Sequence, residues 1–157
     1  MSISFACRQH GPGLPTALAV QAKFIALGTS RGLVLLFDHF HEIRTGSGGG
    51  GNGDGGVTSL DMCAASDMLV VGYQSGRVAL WNFMQGVLLK TVVDAHESPI
   101  VTVRCCHPSE PQVVTADARG VVNKITFRRV MWTAWVGDIE CLLDGAAGSM
   151  PALCTLP

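Results

Sequence analysis

The chain has 157 residues, a formal net charge of −1, 48% hydrophobic residues and 15% charged ones. That length suits one ordinary domain, and that apolar content buries a core and does not leave the chain disordered. The near-neutral balance removes the electrostatic case for gripping nucleic acid or an anionic membrane surface, and no apolar run reaches the roughly 18 residues a membrane helix needs.

The N-terminus, "MSISFACRQHGPG", has no basic stretch followed by an apolar one, so it does not read as a signal peptide. Residues 1–12 are read as an extension ahead of the folded unit. With no export signal the expected setting is the cytosol, where the six cysteines (7, 63, 105, 106, 141 and 154) are reduced thiols. From Gly13 the pattern changes. "PTALAV" (Pro15 to Val20) precedes "IALGTSRGLVLLFD" (Ile25 to Asp38), in which two apolar runs flank a turn bounded by glycines. Runs of this length, rich in Val, Leu, Ile and Phe and separated by Gly/Ser/Asp turns, predict β-strands. In "DHFHE", His39 and His41 would share a strand face, but no third metal ligand accompanies them, so they are read as a solvent-facing strand end.

"TGSGGGGNGDGG" (Thr45 to Gly56) is the one low-complexity stretch. A phosphate cradle needs Gly-Lys-Ser/Thr opening a helix, and here there is no lysine and a strand follows. A calcium-binding nonapeptide occurs in tandem with its Asp one position away. The segment is read as a flexible loop between repeating units, replacing a fourth strand or its turns.

Beyond it the first pattern returns. "VTSLDM" (Val57 to Met62) precedes "VVGYQSGRVALWN" (Val70 to Asn82), and Gly28/Gly72, Gly32/Gly76 and Asp38/Asn82 are each 44 residues apart. The same step from Gly76 reaches Gly120 in "VVTADARGVVNKITF" (Val113 to Phe127), where Ala116 replaces the first glycine and Ile125 the aromatic. The preceding strand recurs as "IVTVRC" at Ile100, and Thr58 and Thr102 share the 44-residue spacing. A fourth strand, "GVLLKTVV" (Gly86 to Val93), leads into the polar corner "DAH" (Asp94 to His96). The glycines suit tight hairpins, which need φ > 0, and the Phe/Trp before Asp/Asn supplies a large apolar plug between sheets.

The remaining polar motifs carry little chemistry. "CCHP" (Cys105 to Pro108) is the only Cys/His cluster, yet zinc needs four converging ligands and adjacent strand residues point to opposite faces; these cysteines read as small buried hydrophobes. "FRRVMWTAW" (Phe127 to Trp135) mixes basic and aromatic residues as single-stranded nucleic-acid sites do, but it is one short stretch, better read as filling space between sheets or meeting a partner protein. Ser30, Ser75 and Ser149 lie in turns without a nucleophile elbow, and Asp61, Asp67, Asp94 and Asp117 fall where structural turn residues belong. No catalytic, cofactor-binding or metal residue is assigned, no cofactor is expected, and the chain is read as no enzyme.

Four short antiparallel strands per unit, a period near 40 to 45 residues, a W-D-like dipeptide and a corner histidine resemble the WD40 blade. The expected fold is all-β: an incomplete WD40-like β-propeller over 13–157, about three blades plus the start of a fourth, with the Gly-rich inter-blade loop at 45–56. An open arc leaves a strand edge and an apolar face at each end, so the isolated chain is expected to be marginal or oligomeric.

Several segments go beyond a generic blade. "GLPTALAVQAKFIALGTSRGLVLLFD", the stretch from Gly56 to His96 ending "LLKTVVDAH", "RGVVNKITFRRVM" and "CLLDGAAG" together closely resemble the N-terminal propeller of the vacuolar protein sorting-associated protein 8 family. The resemblance covers about Gly13 to Gly148; the Gly-rich loop and "MWTAWVGDIE" (Met131 to Glu140) depart from it. It implies a fragment of a non-enzymatic interaction scaffold, a subunit of the CORVET endosomal tethering complex acting in endosome-to-vacuole or lysosome transport. The partners it implies are the class C vacuolar sorting core subunits and an early-endosomal Rab GTPase, with no nucleic acid. The location it implies is cytoplasmic and peripheral on endosomal membranes. The rival reading is a WD40 scaffold of another pathway, such as a ubiquitin ligase adaptor or an RNA-processing factor.

Overall fold

A computed structural model describes residues 11, 13–38, 43–46 (backbone only), 53–63, 66–107, 110–132, 134–146 and 148. The expected extension over residues 1–12, apart from Gly11, therefore lies outside the described residues, as do His39, His41 and Ser149. Among the described residues there is no helix; there are twelve strands in three four-stranded antiparallel sheets. The first sheet is β1 (Pro15–Val20), β2 (Phe24–Thr29), β3 (Val34–Asp38) and β4 (Ile43–Gly46). The second is β5 (Val57–Met62), β6 (Met68–Tyr73), β7 (Val78–Asn82) and β8 (Val87–Val92). The third is β9 (Ile100–Cys105), β10 (Gln112–Asp117), β11 (Val121–Arg129) and β12 (Trp135–Asp144). Each sheet keeps chain order, as the blades of a propeller do.

The 44-residue step is a property of the second hairpin of each blade. Gly32, Gly76 and Gly120 all take positive φ (78°, 85° and 85°), and their N–H groups donate to the carbonyls of Thr29, Tyr73 and Asp117. These are three equivalent turns, closed by the residue type that adopts this conformation without a Cβ clash. The first strands advance differently. Pro15, Val57 and Ile100 pair with Thr29, Tyr73 and Asp117, so the step there is 42 and then 43 residues. Thr58 and Thr102 are consequently not equivalent: Thr58 is skipped at the bulge between Val57 and Ser59, while Thr102 pairs with Ala116. The difference is absorbed in the turn between first and second strands, which lengthens from blade to blade.

Two assignments shift. Thr45 and Gly46, read as part of the Gly-rich loop, belong to β4, so the first blade has its own fourth strand. Trp135–Asp144 completes the third blade against β11 and does not open a fourth. The reason is hairpin length. β11 and β12 run 9 and 10 residues, against 5 and 6 for β7 and β8, so the "MWTAWVGDIE" insertion extends the third blade's outer hairpin.

Blades pack through alternate faces of their strands. On the face toward the following blade, Ala26, Val34 and Leu36 of the first meet Leu69, Val71 and Trp81 of the second in one core. Val70, Val78 and Leu80 of the second meet Val113, Ile125 and Phe127 of the third in the next. Side chains of the following blade come very close at the first glycine of the first two repeats. A Cβ on Gly28 would lie 2.3 Å from Val57 Cγ1, and one on Gly72 2.5 Å from Ile100 Cγ2. The second and third blades are also tied by hydrogen bonds: Val103 N–H donates to Ser59 Oγ (3.1 Å) and Cys105 N–H to Asp61 Oδ2 (2.9 Å). The third blade's own following face differs. Lys124 stands where Leu36 and Leu80 stand in the other two, paired with Glu140 on β12 at 3.6 Å, and Arg128 pairs with Asp138 beside it.

This contact geometry fixes an expectation for mutagenesis. Gly72→Ala should destabilise the chain by about 1–3 kcal/mol through overpacking against Ile100. In a urea-denaturation cycle, Ile100→Ala should relieve part of that loss; strictly additive effects would mean that the glycine is not kept small by its neighbour.

Candidate interaction surface

The polar residues singled out by sequence scatter over the molecule. Ser30 and Ser75 are exposed turn residues, and Ser30 Oγ accepts a hydrogen bond from Leu14 N–H (2.9 Å). Asp67 and Asp94 are exposed, whereas Asp61 sits within β5 and bridges to β9. Cys63 and Cys105 lie in the core between the second and third blades, as read. Contact with Cys63, together with burial, pushes the Cys105 thiol well up, which leaves it protonated and inert. Cys106 and Cys141 are exposed, so the buried-hydrophobe reading fails for them. Among the described residues no three His, Cys, Asp or Glu side chains are grouped to hold a metal ion.

One polar cluster does converge, at the corner between the second and third blades. His96 Nε2 lies 2.8 Å from Thr115 Oγ1, and Nδ1 lies 3.3 Å from Asp117 Oδ2. The Nδ1 approach is close but poorly aligned, an electrostatic contact more than a formed hydrogen bond. The Thr115 hydroxyl also reaches the Asn123 carbonyl at 3.3 Å, so with Nδ1–H aimed at Asp117 the hydroxyl's one proton is shared between that oxygen and Nε2. Asp117 Oδ1 accepts the N–H groups of Arg119 and Val121, both at 2.9 Å, which closes the Gly120 turn. Asn123 Nδ2 donates to the carbonyl of Ala95 at 2.6 Å. Burial lowers the His96 pKa, and the nearby Asp117 charge opposes this only in part, so the imidazole is neutral. The cluster locks a corner, and His96 and Asp117 also line a cleft of about 410 Å³ together with Asp94, Glu97 and Arg119.

The corner before the second blade is built otherwise. Asp54, at the end of the Gly-rich segment, is buried and pairs with Arg77. Tyr73, Val71 and Ala79 occupy the places of Asp117, Thr115 and Asn123. Burial first, and the Asp54 charge second, push the Tyr73 hydroxyl up to about 12. Sequence reading flagged His96 and Asp117 but missed Thr115 and Asn123, which the 44-residue register would have exposed as polar residues where the other blades carry apolar ones.

The surface features worth weighing for function are apolar. At the tip of the extended outer hairpin of the third blade, Val130, Met131 and Trp132 are exposed, Trp132 to 90%. Trp135 packs on the core between the second and third blades, so of the two tryptophans one fills space as read and one does not.

Similarity to known proteins follows the same outline. A family model described as Vps8 beta-propeller matches residues 2–157. A mouse protein named vacuolar protein sorting-associated protein 8 homolog is 33% identical over 141 residues, covering 88% of this chain and 10% of the mouse protein. The Drosophila melanogaster homolog of the same name is 31% identical over 153 residues, covering 96% of this chain and 12% of that protein. The chain thus spans about a tenth of the length of these relatives. Among solved structures, the computationally designed Ika4 protein matches with a TM-score of 0.64 and 22% identity, over 87% of this chain and 76% of that one, a likeness of fold.

The buried imidazole generates a pH expectation. In the unfolded chain it takes up a proton near pH 6.5, while in the fold it resists protonation until lower pH. Its contribution is therefore fully present above about pH 6.5 and lost as pH falls through the folded value. Urea midpoints should drop on acidification, and His96→Gln should lower stability by about 1–3 kcal/mol at neutral pH while flattening that acid limb. An acid limb unchanged in the variant would remove His96 from the account.

Proposed function

This chain belongs to the Vps8 beta-propeller family, and on that premise we propose that it is a non-enzymatic interaction scaffold of an endosomal vesicle-tethering complex. In this reading it acts in transport toward the vacuole or lysosome, peripheral on endosomal membranes. The observation that carries the reading is the agreement of that family match, over nearly the whole chain, with three blades in one register. The physical basis is general. A stack of sheets fixed by close inter-blade contacts presents loops and hairpin tips whose residues vary without cost to the core, which is what a binding platform requires.

Nothing in the polar clusters calls for catalysis. The most developed one, around His96, is spent on closing a corner. No helix among the described residues is long and apolar enough to cross a membrane. Attachment to a membrane is proposed to run through protein partners, the class C vacuolar sorting core subunits and an early-endosomal Rab GTPase.

The test is co-precipitation with this chain tagged, and in parallel with a full-length relative carrying the same propeller. Class C core subunits should be enriched over an unrelated propeller control, and the Rab should be retained in its GTP-loaded form over its GDP-loaded form. No enrichment of core subunits in either context would overturn the tethering assignment. Equal retention of the two nucleotide forms would remove the Rab.

A further inference from the structure

The long outer hairpin of the third blade does more than finish its sheet. Its tip reaches past the shorter outer hairpin of the second blade, and between them lies a groove of about 420 Å³. One wall is the start of β8, where Val87 and Leu88 are exposed to 48% and 38%. The opposite wall is Trp132 and Trp135 from the hairpin, and Gln85 and Arg129 are at the groove as well. A cleft of this size holds two or three side chains. Trp132 is a large apolar ring left in water although it stands beside other apolar groups, an arrangement that marks interaction sites more often than structural ones.

Charge says what kind of occupant fits. No carboxylate lines the groove, and among the described residues Arg129 has no acidic partner, unlike its neighbour Arg128, which pairs with Asp138. The Arg129 side chain is nonetheless held in place: Nε donates to the Met131 carbonyl at 3.2 Å and Nη2 to the Trp132 carbonyl. Those bonds use Nε–H and one Nη2–H, and leave Nη1 and the second Nη2–H, with which a guanidinium can grip a carboxylate end-on. A pre-oriented, unneutralised cation beside two indole rings is complementary to an acidic group adjoining an apolar one.

Backbone geometry says what form the occupant takes. β8 is the outermost strand of its sheet, so its outer edge has no strand partner. It meets the third blade at its far end, where a Cβ on Gly137 would lie 2.8 Å from Val92 Cγ2, and at Leu89, which packs with Trp135 against the shared core. The Val87 end is open. An extended peptide laid along it can bond to main-chain groups while placing alternate side chains between Leu88 and Trp132.

We propose that this groove binds a short, extended peptide segment of a partner protein, in which a bulky apolar residue lies next to an aspartate or glutamate. The apolar residue packs against Trp132, Val87 and Leu88, and the carboxylate pairs with Arg129. The proposal does not depend on the tethering assignment, since it names a chemistry and no pathway.

The test uses the 157-residue chain immobilised against a phage-displayed library of random decapeptides, with enriched peptides synthesised for fluorescence anisotropy. Enriched sequences should combine Phe, Leu, Ile or Trp with Asp or Glu. Their affinity should fall at least tenfold in Trp132→Ala and in Arg129→Gln, with circular dichroism and urea midpoints of both variants unchanged. Arg129→Glu should turn the charge preference toward Lys- or Arg-bearing peptides, a reversal that a structural role for Arg129 would not produce. Failure to enrich any acidic-apolar sequence, or unchanged affinity in the variants, would overturn the proposal. So would tighter Trp132-dependent binding of a single-stranded RNA oligonucleotide or of anionic phosphatidylserine vesicles, or Trp132-dependent self-association seen by sedimentation.

Discussion

The architecture depends on how closely one blade approaches the next at its second strand. At Gly28 and Gly72 there is no space for even one carbon beyond the backbone, because a β-branched residue of the following blade, Val57 or Ile100, already fills it. Every other inter-blade contact follows from that approach. It brings the apolar faces together as two dry cores and puts Ser59 and Asp61 within reach of backbone N–H groups on β9. A hairpin turn with positive φ at Gly32 and Gly76 serves the same end. A Cβ there would meet the carbonyl of Gly55 at 2.7 Å or of His96 at 2.2 Å, both in the connection that leads into the next blade. Glycine is thus used twice in each of the first two repeats, once for conformation and once for clearance.

The two interfaces made in this way are not copies. Between the first and second blades the corner rests on Asp54 and Arg77, and Tyr73, Val71 and Ala79 fill the places where hydrogen-bonding groups sit one blade later. Between the second and third, His96, Thr115, Asp117 and Asn123 replace that aromatic volume with polar contacts. Buried polar groups are tolerated when partnered, and they fix one geometry more sharply than apolar packing does. Ala116, where the earlier blades have glycine, shows that the third blade is not held to the same clearance.

Much of this was legible in the sequence because the residues that set the repeat are of a rare and local kind. Glycines at hairpin turns and an aromatic before Asp/Asn must recur at the spacing of the structure they build, so a constant step of 44 revealed blades directly. The first strands were less legible. Their position is set by pairing partners and by a bulge, and a chance coincidence of threonines at 58 and 102 hid a one-residue slip. The fourth strands were harder still. β4 runs into the Gly-rich segment at its end, and β12 is exposed along nearly all its length, so neither carries a clear alternation. As for the candidate surface, the basic-aromatic run from Phe127 to Trp135 stood out by composition. The groove, however, needs β8 from 40 residues earlier in the chain, and no local pattern announces that neighbour.

The ion pairs on the third blade's following face carry a consequence for whatever lies alongside it. Lys124 with Glu140 and Arg128 with Asp138 line the perimeter, while Ala116 and Val122, nearer the first strand, are buried. A sheet arriving on this side would have to strip water from two exposed charge pairs to seat along its full width, a cost that the apolar faces of the first two blades do not impose. Contact is favoured only near the axis, where the first strands run side by side, and the rim stays wet. The join would be a wedge, tight beside the first strand and open at the charged rim, unlike the two apolar interfaces before it.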